Sequence, residues 1–301
     1  MKRKPRVLVV YKKSAYQLYV QERHDPHMRR RLRQGDRDAV DMRQAHVVHQ
    51  ETLAGVVRAL KRLKVSYDLV YRANLRTADP YDVVVSVGGD GTVLQASHLV
   101  GDQPILGVNS DPRRSEAVFC AATKQTFESL LRRALAGILT TRLLYRLRVW
   151  INGRAVSPLV LNDVLLAHED PATMSRYRLT IGSRIESQKS SGLWVATAAG
   201  SSGAILAAGG TPMFWTTKRF QYRPRELYRG RLSRHRLTGS TLPLGATVRV
   251  TWLMREGFAF LDGSHVRHPL RFGDRVVVEL SARQPLRLLG IRSPNARTQD
   301  A

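Results

Sequence analysis

The sequence predicts an α/β N-terminal domain built on an open parallel sheet, followed by a β-rich, sandwich-like C-terminal domain. Three observations predict it. In the first third of the chain, short runs of β-branched residues alternate with segments of helical periodicity, the pattern of a parallel sheet with crossover helices. From Leu143 onward the apolar period becomes two, as in half-buried strands. The 301 residues also suffice for two ordinary domains, each with its own core. The expected division is 1–135 for the α/β domain and 136–291 for the β-rich domain, whose last strand can return to the first domain, with 292–301 as a frayed tail.

Arg6 to Val10 reads as the first strand. Lys12 to Val40 is polar, carries the run Arg29-Arg30-Arg31-Leu32-Arg33, and reads as a partly helical insertion. Met42, Ala45, Val48, Thr52, Val56, Ala59 and Leu63 recur at helical spacing and predict one amphipathic helix over 41–63. Ser66–Tyr71, Tyr81–Val87 and Pro104–Val108 are the next strands, the last running into Asn109-Ser110-Asp111-Pro112, and Thr123–Leu135 is a short helix. Leu143–Ile151 alternates and ends in Asn152-Gly153, a type I′ hairpin signal. Leu159–Ala167, Tyr177–Ile181, Leu193–Thr197, Val248–Leu253 and Phe258–Leu261 read as strands; Asp262-Gly263 marks a second hairpin, and Arg275–Leu280 and Leu286–Ile291 alternate again.

Composition narrows the function classes. The hydrophobic fraction of 43% and charged fraction of 24% are those of a globular protein. The single Cys120 excludes an internal disulfide framework and fits a reducing compartment. No apolar run approaches the roughly 18 residues of a membrane span. Lys2-Arg3-Lys4 is followed only by the short apolar run Val7–Val10, too short for a signal-peptide core, so a cytoplasmic location is expected. The formal charge of +25 is carried by arginines along the whole chain, which favours steering of anionic small substrates. The arginine run lacks interleaved aromatics, so RNA binding is disfavoured but stays open. Three His-x-x-His pairs (His24/His27, His46/His49, His265/His268) have no third ligand nearby, and no resident metal site is expected from them.

The chemistry concentrates at Val83-Val84-Val85-Ser86-Val87-Gly88-Gly89-Asp90-Gly91-Thr92. A strand buried on both faces ends in three glycines and a carboxylate, and a helix opens at once. Glycines let such a turn aim its N–H groups at an anion, and the helix dipole adds to the attraction. An Asp inside a phosphate cradle repels what the loop attracts, and such a conflict between local rules marks a functional site. There is no Walker A lysine motif and no Rossmann glycine pattern.

Gly88-Gly89-Asp90-Gly91-Thr92 after a buried strand resembles the signature of NAD kinases, which lipid kinases of the diacylglycerol and sphingosine type share. Two further stretches resemble NAD kinases specifically. Leu161-Asn162-Asp163-Val164 matches an Asn-Glu pair that holds NAD through ribose hydroxyls, with Asp for Glu. Lys189 to Ala204, running on to Gly209-Gly210, matches a second glycine-rich segment, a strand and a Thr-x-x-Gly-Ser-Thr turn entering a small-residue helix. Ser191 replaces the usual Asp there, and Ala204 stands where many members have an aromatic that packs on adenine. Gln188 to Leu193, and Gly107 to Pro112 with Ser115-Glu116 behind, resemble the mitochondrial-type branch.

The resemblance implies transfer of the ATP γ-phosphoryl to the 2′-hydroxyl of the adenosine ribose of NAD(H), giving NADP(H). It implies Asp90 as the acceptor of the hydroxyl proton, and Gly88, Gly89, Gly91 and Thr92 as phosphate binders with Mg²⁺ bridging. It implies Asp90, Gly91, Asn162, Asp163, Lys189 and Ser202 as the NAD-binding set, and self-association into a homo-oligomer. The alternatives are a lipid kinase sharing the glycine loop, and a catalytically silent relative that binds dinucleotide or nucleic acid.

Overall fold

The computed structural model describes residues 4–231 and 234–291. The expected frayed tail, 292–301, lies outside the described residues. The chain divides into two compact units, one running to Arg142 and joined by the segment from Arg287, the other Leu143–Leu286.

In the first unit, β1 (Arg6–Tyr11), β2 (Ser66–Tyr71), β3 (Val83–Gly88) and β4 (Ile105–Asn109) form a parallel sheet in the order β2-β1-β3-β4. The polar insertion folds as a π-helical segment, Tyr16–Glu22, and a helix α1 (Pro26–Arg33), whose N-cap Asp25 accepts from the Met28 amide at 3.0 Å. Helix α2 (Arg37–Arg62) starts before the expected Asp41, because Asp36 caps it by accepting from the Ala39 amide at 3.1 Å. Leu53, Val56 and Leu60 of α2, with Phe127 and Leu131 of the later helix α4 (Phe127–Leu135), bury against Val7, Val9, Val83, Val85 and Val87. Helix α3 (Asp90–Ser97) follows β3 and packs on β1, β3 and β4. Burial on both faces explains the valine-rich run of β3, in which even Ser86 is buried.

The second unit is antiparallel throughout. β5 (Thr141–Ile151) and β6 (Arg154–Val160) form a hairpin at Asn152-Gly153, where φ is +51° and +79°, the positive pair that a type I′ turn needs. The expected single strand 159–167 is broken: β6 ends at Val160 and β7 (Asp163–Ala167) begins after a turn at Leu161-Asn162. β8 (Ser175–Ile181) pairs with β9 (Arg184–Ser190), an edge strand unforeseen because its exposed residues carry no apolar alternation. β10 (Gly192–Thr197) leads through a 3₁₀ turn, Ala199–Ser202, into the single-turn α5 (Ala204–Ala207).

β11 (Arg219–Arg225) and β12 (Ser240–Pro243) were likewise hidden, since β11 buries Gln221, which bonds the Thr211 backbone at 2.9 and 3.0 Å. β13 (Thr247–Trp252), β14 (Phe258–Leu261) and β15 (Val266–Pro269) follow. The last two expected strands are one, β16 (Arg275–Leu289), which pairs with β13 and, at Leu288, with Ile105 of β4.

One sheet of this unit runs β12-β11-β10-β7-β14-β15. Its inner residues Val164, Leu166, Leu193, Val195 and Phe220 share one core with Leu147, Val149, Tyr177, Leu179, Val250 and Val278 of the other strands. That is a sandwich. The α/β-then-β fold class is therefore the one the periodicities predict.

Candidate functional site

In the first unit the site grows from the end of β3. Gly88 is its last residue, Gly89 precedes α3, and Asp90 is the first residue of that helix. None of Gly88, Gly89 and Gly91 is in the left-handed region, so conformational freedom is not what the turn takes from them. Gly88 serves close approach: a Cβ there would collide with the hydroxyl of Thr92 and lie 2.9 Å from its Cβ.

The Asp90 carboxylate accepts two backbone amides, Val118 N–H to Oδ2 at 3.0 Å and Phe119 N–H to Oδ1 at 2.8 Å. Burial pushes its carboxyl above the ordinary range; the two amides oppose this and Glu116 adds to it. The loop that supplies those amides is anchored by Asn109, whose Nδ2 donates to the Ser115 carbonyl at 2.7 Å and whose Oδ1 accepts the Asp111 amide at 3.0 Å. Ser110 N–H donates to the Gly88 carbonyl at 2.8 Å, which holds this loop beside the glycine turn. The Thr92 amide is spent inside the turn on the Gly89 carbonyl at 2.9 Å. Its hydroxyl is buried and has no hydrogen-bond partner among the described residues.

In the second unit, the turn at Asn162 and the turn after β10 are built as one piece. Thr197 N–H donates to the Asn162 carbonyl at 2.9 Å, Thr197 Oγ1 donates to the Leu161 carbonyl at 2.5 Å, and the Gly200 amide donates back to Thr197 Oγ1 at 3.0 Å. A Cβ on Gly200 would meet the Asn162 backbone, 2.6 Å from its carbonyl carbon, so only glycine permits this approach. Gly203 lies near Asp163 Oδ2.

Asp262, read from sequence only as a hairpin residue, organises the turn. Its carboxylate accepts the amides of Leu161 at 2.9 Å, Asn162 at 2.6 Å and Asp163 at 3.3 Å, and its own amide donates to the Asp163 carbonyl at 3.0 Å. Asp163 is buried, and burial with the nearby Asp262 charge pushes its carboxyl up to about 7. Asn162 Oδ1 is buried without a partner, and Ser202 is exposed. The hydroxyl that Ser201 contributes is structural, bonded to the Ala198 carbonyl at 2.7 Å and the Met213 amide at 2.8 Å.

Asn162, Asp163 and the turn carrying Ser202 are therefore gathered together. Lys189 is not with them: on β9, its ammonium lies over the Tyr228 ring at 5.0 Å and lines a cavity of about 630 Å³ with His168, Arg176, Met174 and Met254. Val118, Phe119 and Asp262 were missed by sequence reasoning. Backbone amides leave no trace in residue type, and an Asp-Gly pair reads first as a turn. Among the described residues, no three His, Cys, Asp or Glu side chains converge as metal ligands, and no helix is long and apolar enough to cross a membrane.

Comparison with known proteins bears on the family and the fold. Residues 3–137 match the model of the ATP-NAD kinase N-terminal domain. A protein of Oryza sativa subsp. japonica named probable NADH kinase is 37% identical over 262 residues, 79% of this chain and 80% of its own. The mitochondrial NAD kinase 2 of Xenopus tropicalis is 31% identical over 153 residues, 49% of this chain and 35% of its own. The crystal structure of an NAD kinase from Archaeoglobus fulgidus in complex with ATP shares the fold, with a TM-score of 0.66 at 21% identity over 98% of this chain and 96% of that one. A strand that leads through two glycines to an oriented aspartate, and a relative matched across four fifths of both chains, lead to one conclusion: the chain belongs to the NAD kinase family.

Proposed function

We propose that this protein transfers the γ-phosphoryl group of ATP to the 2′-hydroxyl of the adenosine ribose of NAD(H), giving NADP(H) and ADP. The observation that carries the reading is Asp90, a half-buried carboxylate fixed by two backbone amides at the start of α3. In the reaction, the ribose oxygen forms a bond to the γ-phosphorus, the bond from that phosphorus to the bridging oxygen of ADP breaks, and Asp90 accepts the hydroxyl proton. Each amide occupies one lone pair of an Asp90 oxygen, so each oxygen keeps acceptor capacity for a hydroxyl. The raised carboxyl makes Asp90 a better base than an exposed Asp, and orientation contributes more than basicity in phosphoryl transfer.

Gly88, Gly89 and Gly91 would receive phosphate oxygens. Thr92 would do so through its unpartnered hydroxyl, since its amide is already engaged. Asn162, Asp163 and Ser202 would hold the dinucleotide, with Asp90 and Gly91 touching it at the reacting ribose. Asp163, with a carboxyl near neutrality, can both donate to and accept from a ribose hydroxyl. Lys189 would meet an anionic part of the dinucleotide from its own cavity. The described residues offer no metal cage, so a divalent cation such as Mg²⁺ would arrive bound to the nucleotide. A cytoplasmic location and self-association belong to the same proposal; cell fractionation and light scattering test them.

NADH as the preferred acceptor is a second reading, favoured by the name of the rice relative. The test is a coupled assay for NADP(H) from ATP, Mg²⁺ and either NAD or NADH, run beside Asp90→Asn. The expected result is product with the wild type and none above background with the folded variant. Wild-type turnover by Asp90→Asn would sink the assignment of the base, and a folded wild type that binds NAD(H) without turnover would leave only the silent-relative reading.

A further inference from the structure

We propose that Lys12 and Arg72 form a two-cation clamp that holds the phosphate tail of the donor against the Gly88–Thr92 turn. The proposal deepens the function proposed above and rests on it for the identity of the donor.

Lys12 directly follows β1, and its backbone is pinned on both sides. Its amide faces the Val87 carbonyl at 3.4 Å, and its carbonyl accepts from His49 Nε2 at 2.7 Å. His49 is buried in α2, and burial holds its imidazole down to about 4, so at neutral pH it is the uncharged form that donates. The Lys12 side chain then runs over the turn, with Cδ 3.5 Å from the point a Cβ on Gly88 would occupy. Arg72 opens the 3₁₀ turn Arg72–Asn74 immediately after β2, and its Nη1 lies 3.7 Å from the corresponding point on Gly91. The Lys12 stem and the Arg72 guanidinium thus reach the two outer glycines of one turn.

Both side chains are half-buried, and among the described residues neither lies within 4 Å of a carboxylate. The neighbouring Lys13 shows the ordinary arrangement, paired with Glu22 at 2.8 Å. The acid whose field acts on Lys12 is Asp111, and Asp111 is itself bonded to Arg114 at 3.2 Å. Burial first and Arg72 second push the Lys12 ammonium below its ordinary range, against the pull of Asp111 and Cys120. Holding two like charges together, partly out of water and without a counterion, is unfavourable.

The arginine bias of the surface does not account for the pair, because exposed cations are fully solvated and these two are half-buried. A polyanion laid across the turn would neutralise both at once. Lysine offers a compact charge for one phosphate and arginine a fork for two oxygens of the next. Sequence reading passed over both residues, since in a chain of 49 lysines and arginines no single one stands out.

A clamp on the phosphate tail predicts equal losses with ATP and with inorganic tripolyphosphate. Titration calorimetry on the full chain should show Lys12→Met and Arg72→Met each weakening both ligands by about tenfold or more, with affinity for NAD(H) unchanged. Unchanged tripolyphosphate affinity in both variants overturns the clamp, as does a loss confined to ATP, which would place the contact on the nucleoside. A measurement on the wild type needs no variant to fold: tripolyphosphate should protect Lys12 from an amine-reactive label. Undiminished labelling at saturation, or no binding of tripolyphosphate at all, contradicts the clamp. If tripolyphosphate binds through Lys12 but no NADP(H) forms, the kinase reading fails and the clamp stands.

Discussion

Asp90 and Asp163 are both carboxylates that burial raises above the ordinary range, yet the groups gathered around their turns differ. Asp90 sits at a helix start, held by two backbone amides, in a unit where Lys12 and Arg72 crowd the same turn. Asp163 sits beside a second carboxylate, Asp262, whose lone pairs are filled by three consecutive amides of the same turn. The first setting favours added negative charge; the second favours a neutral hydrogen-bonding partner. On the proposed function, the first turn would handle phosphate and the second would recognise ribose hydroxyls.

The largest stability effect should come from the packing of the second site. Gly200→Ala drives a Cβ into the fixed Asn162 backbone and should cost about 3 kcal/mol or more. Gly88→Ala should cost about half as much, because the side chain of Thr92 can rotate where the backbone of Asn162 cannot. Thermal unfolding of the two variants checks the order. A reversed order would mean that the first turn is the more rigid of the two.

Stability should also respond to pH in opposite senses in the two units. His49, held down to about 4, contributes stability that is full above its unfolded value near 6.5 and lost as pH falls through about 4. Asp163, raised to about 7, contributes stability that is full below about 3.8 and lost as pH rises through about 7. Each effect is on the order of a few kcal/mol at most. Hydrogen exchange, corrected for intrinsic rates, should show protection in α2 rising from pH 4 to 6.5 and protection in β7 and β10 falling from pH 4 to 7. Parallel profiles in both units would break the contrast.

The smallest effect should be that of Ser202→Ala. Its hydroxyl is exposed, and on the proposed function the substitution removes one neutral hydrogen bond to the dinucleotide, raising KM by about threefold to tenfold with no change in melting temperature. A larger loss would assign Ser202 more than a single contact.

Much of this was legible in the residues. The valine run of β3, the helical spacing of α2 and the Asn152-Gly153 turn each encode their structure in side-chain pattern alone. The segments around Asp90, Asn162 and Thr197 were legible as candidates through their resemblance to a known family. What was not legible depends on partners distant in sequence. β9 is a strand whose polar residues show no apolar alternation, and in β11 the buried Phe220 and Tyr222 are masked by the polar residues between them, Gln221 among them bonding backbone. The turn at Leu161-Asn162 exists because Asp262, a hundred positions away, gathers its amides. Gly88 of the first turn matters for proximity to Thr92, and none of Gly88, Gly89 and Gly91 has an unusual dihedral.

The central claim is a division of labour, with Asp90 acting on the reacting hydroxyl and Asp163 holding the dinucleotide. Steady-state kinetics of Asp90→Asn and Asp163→Asn, with NAD(H) affinity measured directly for each, test it most closely. The account predicts that Asp90→Asn lowers kcat by about a thousandfold or more with NAD(H) affinity kept, and that Asp163→Asn raises KM for NAD(H) by about tenfold or more with kcat within a few-fold. Equal losses of kcat in both variants at unchanged affinity would contradict it.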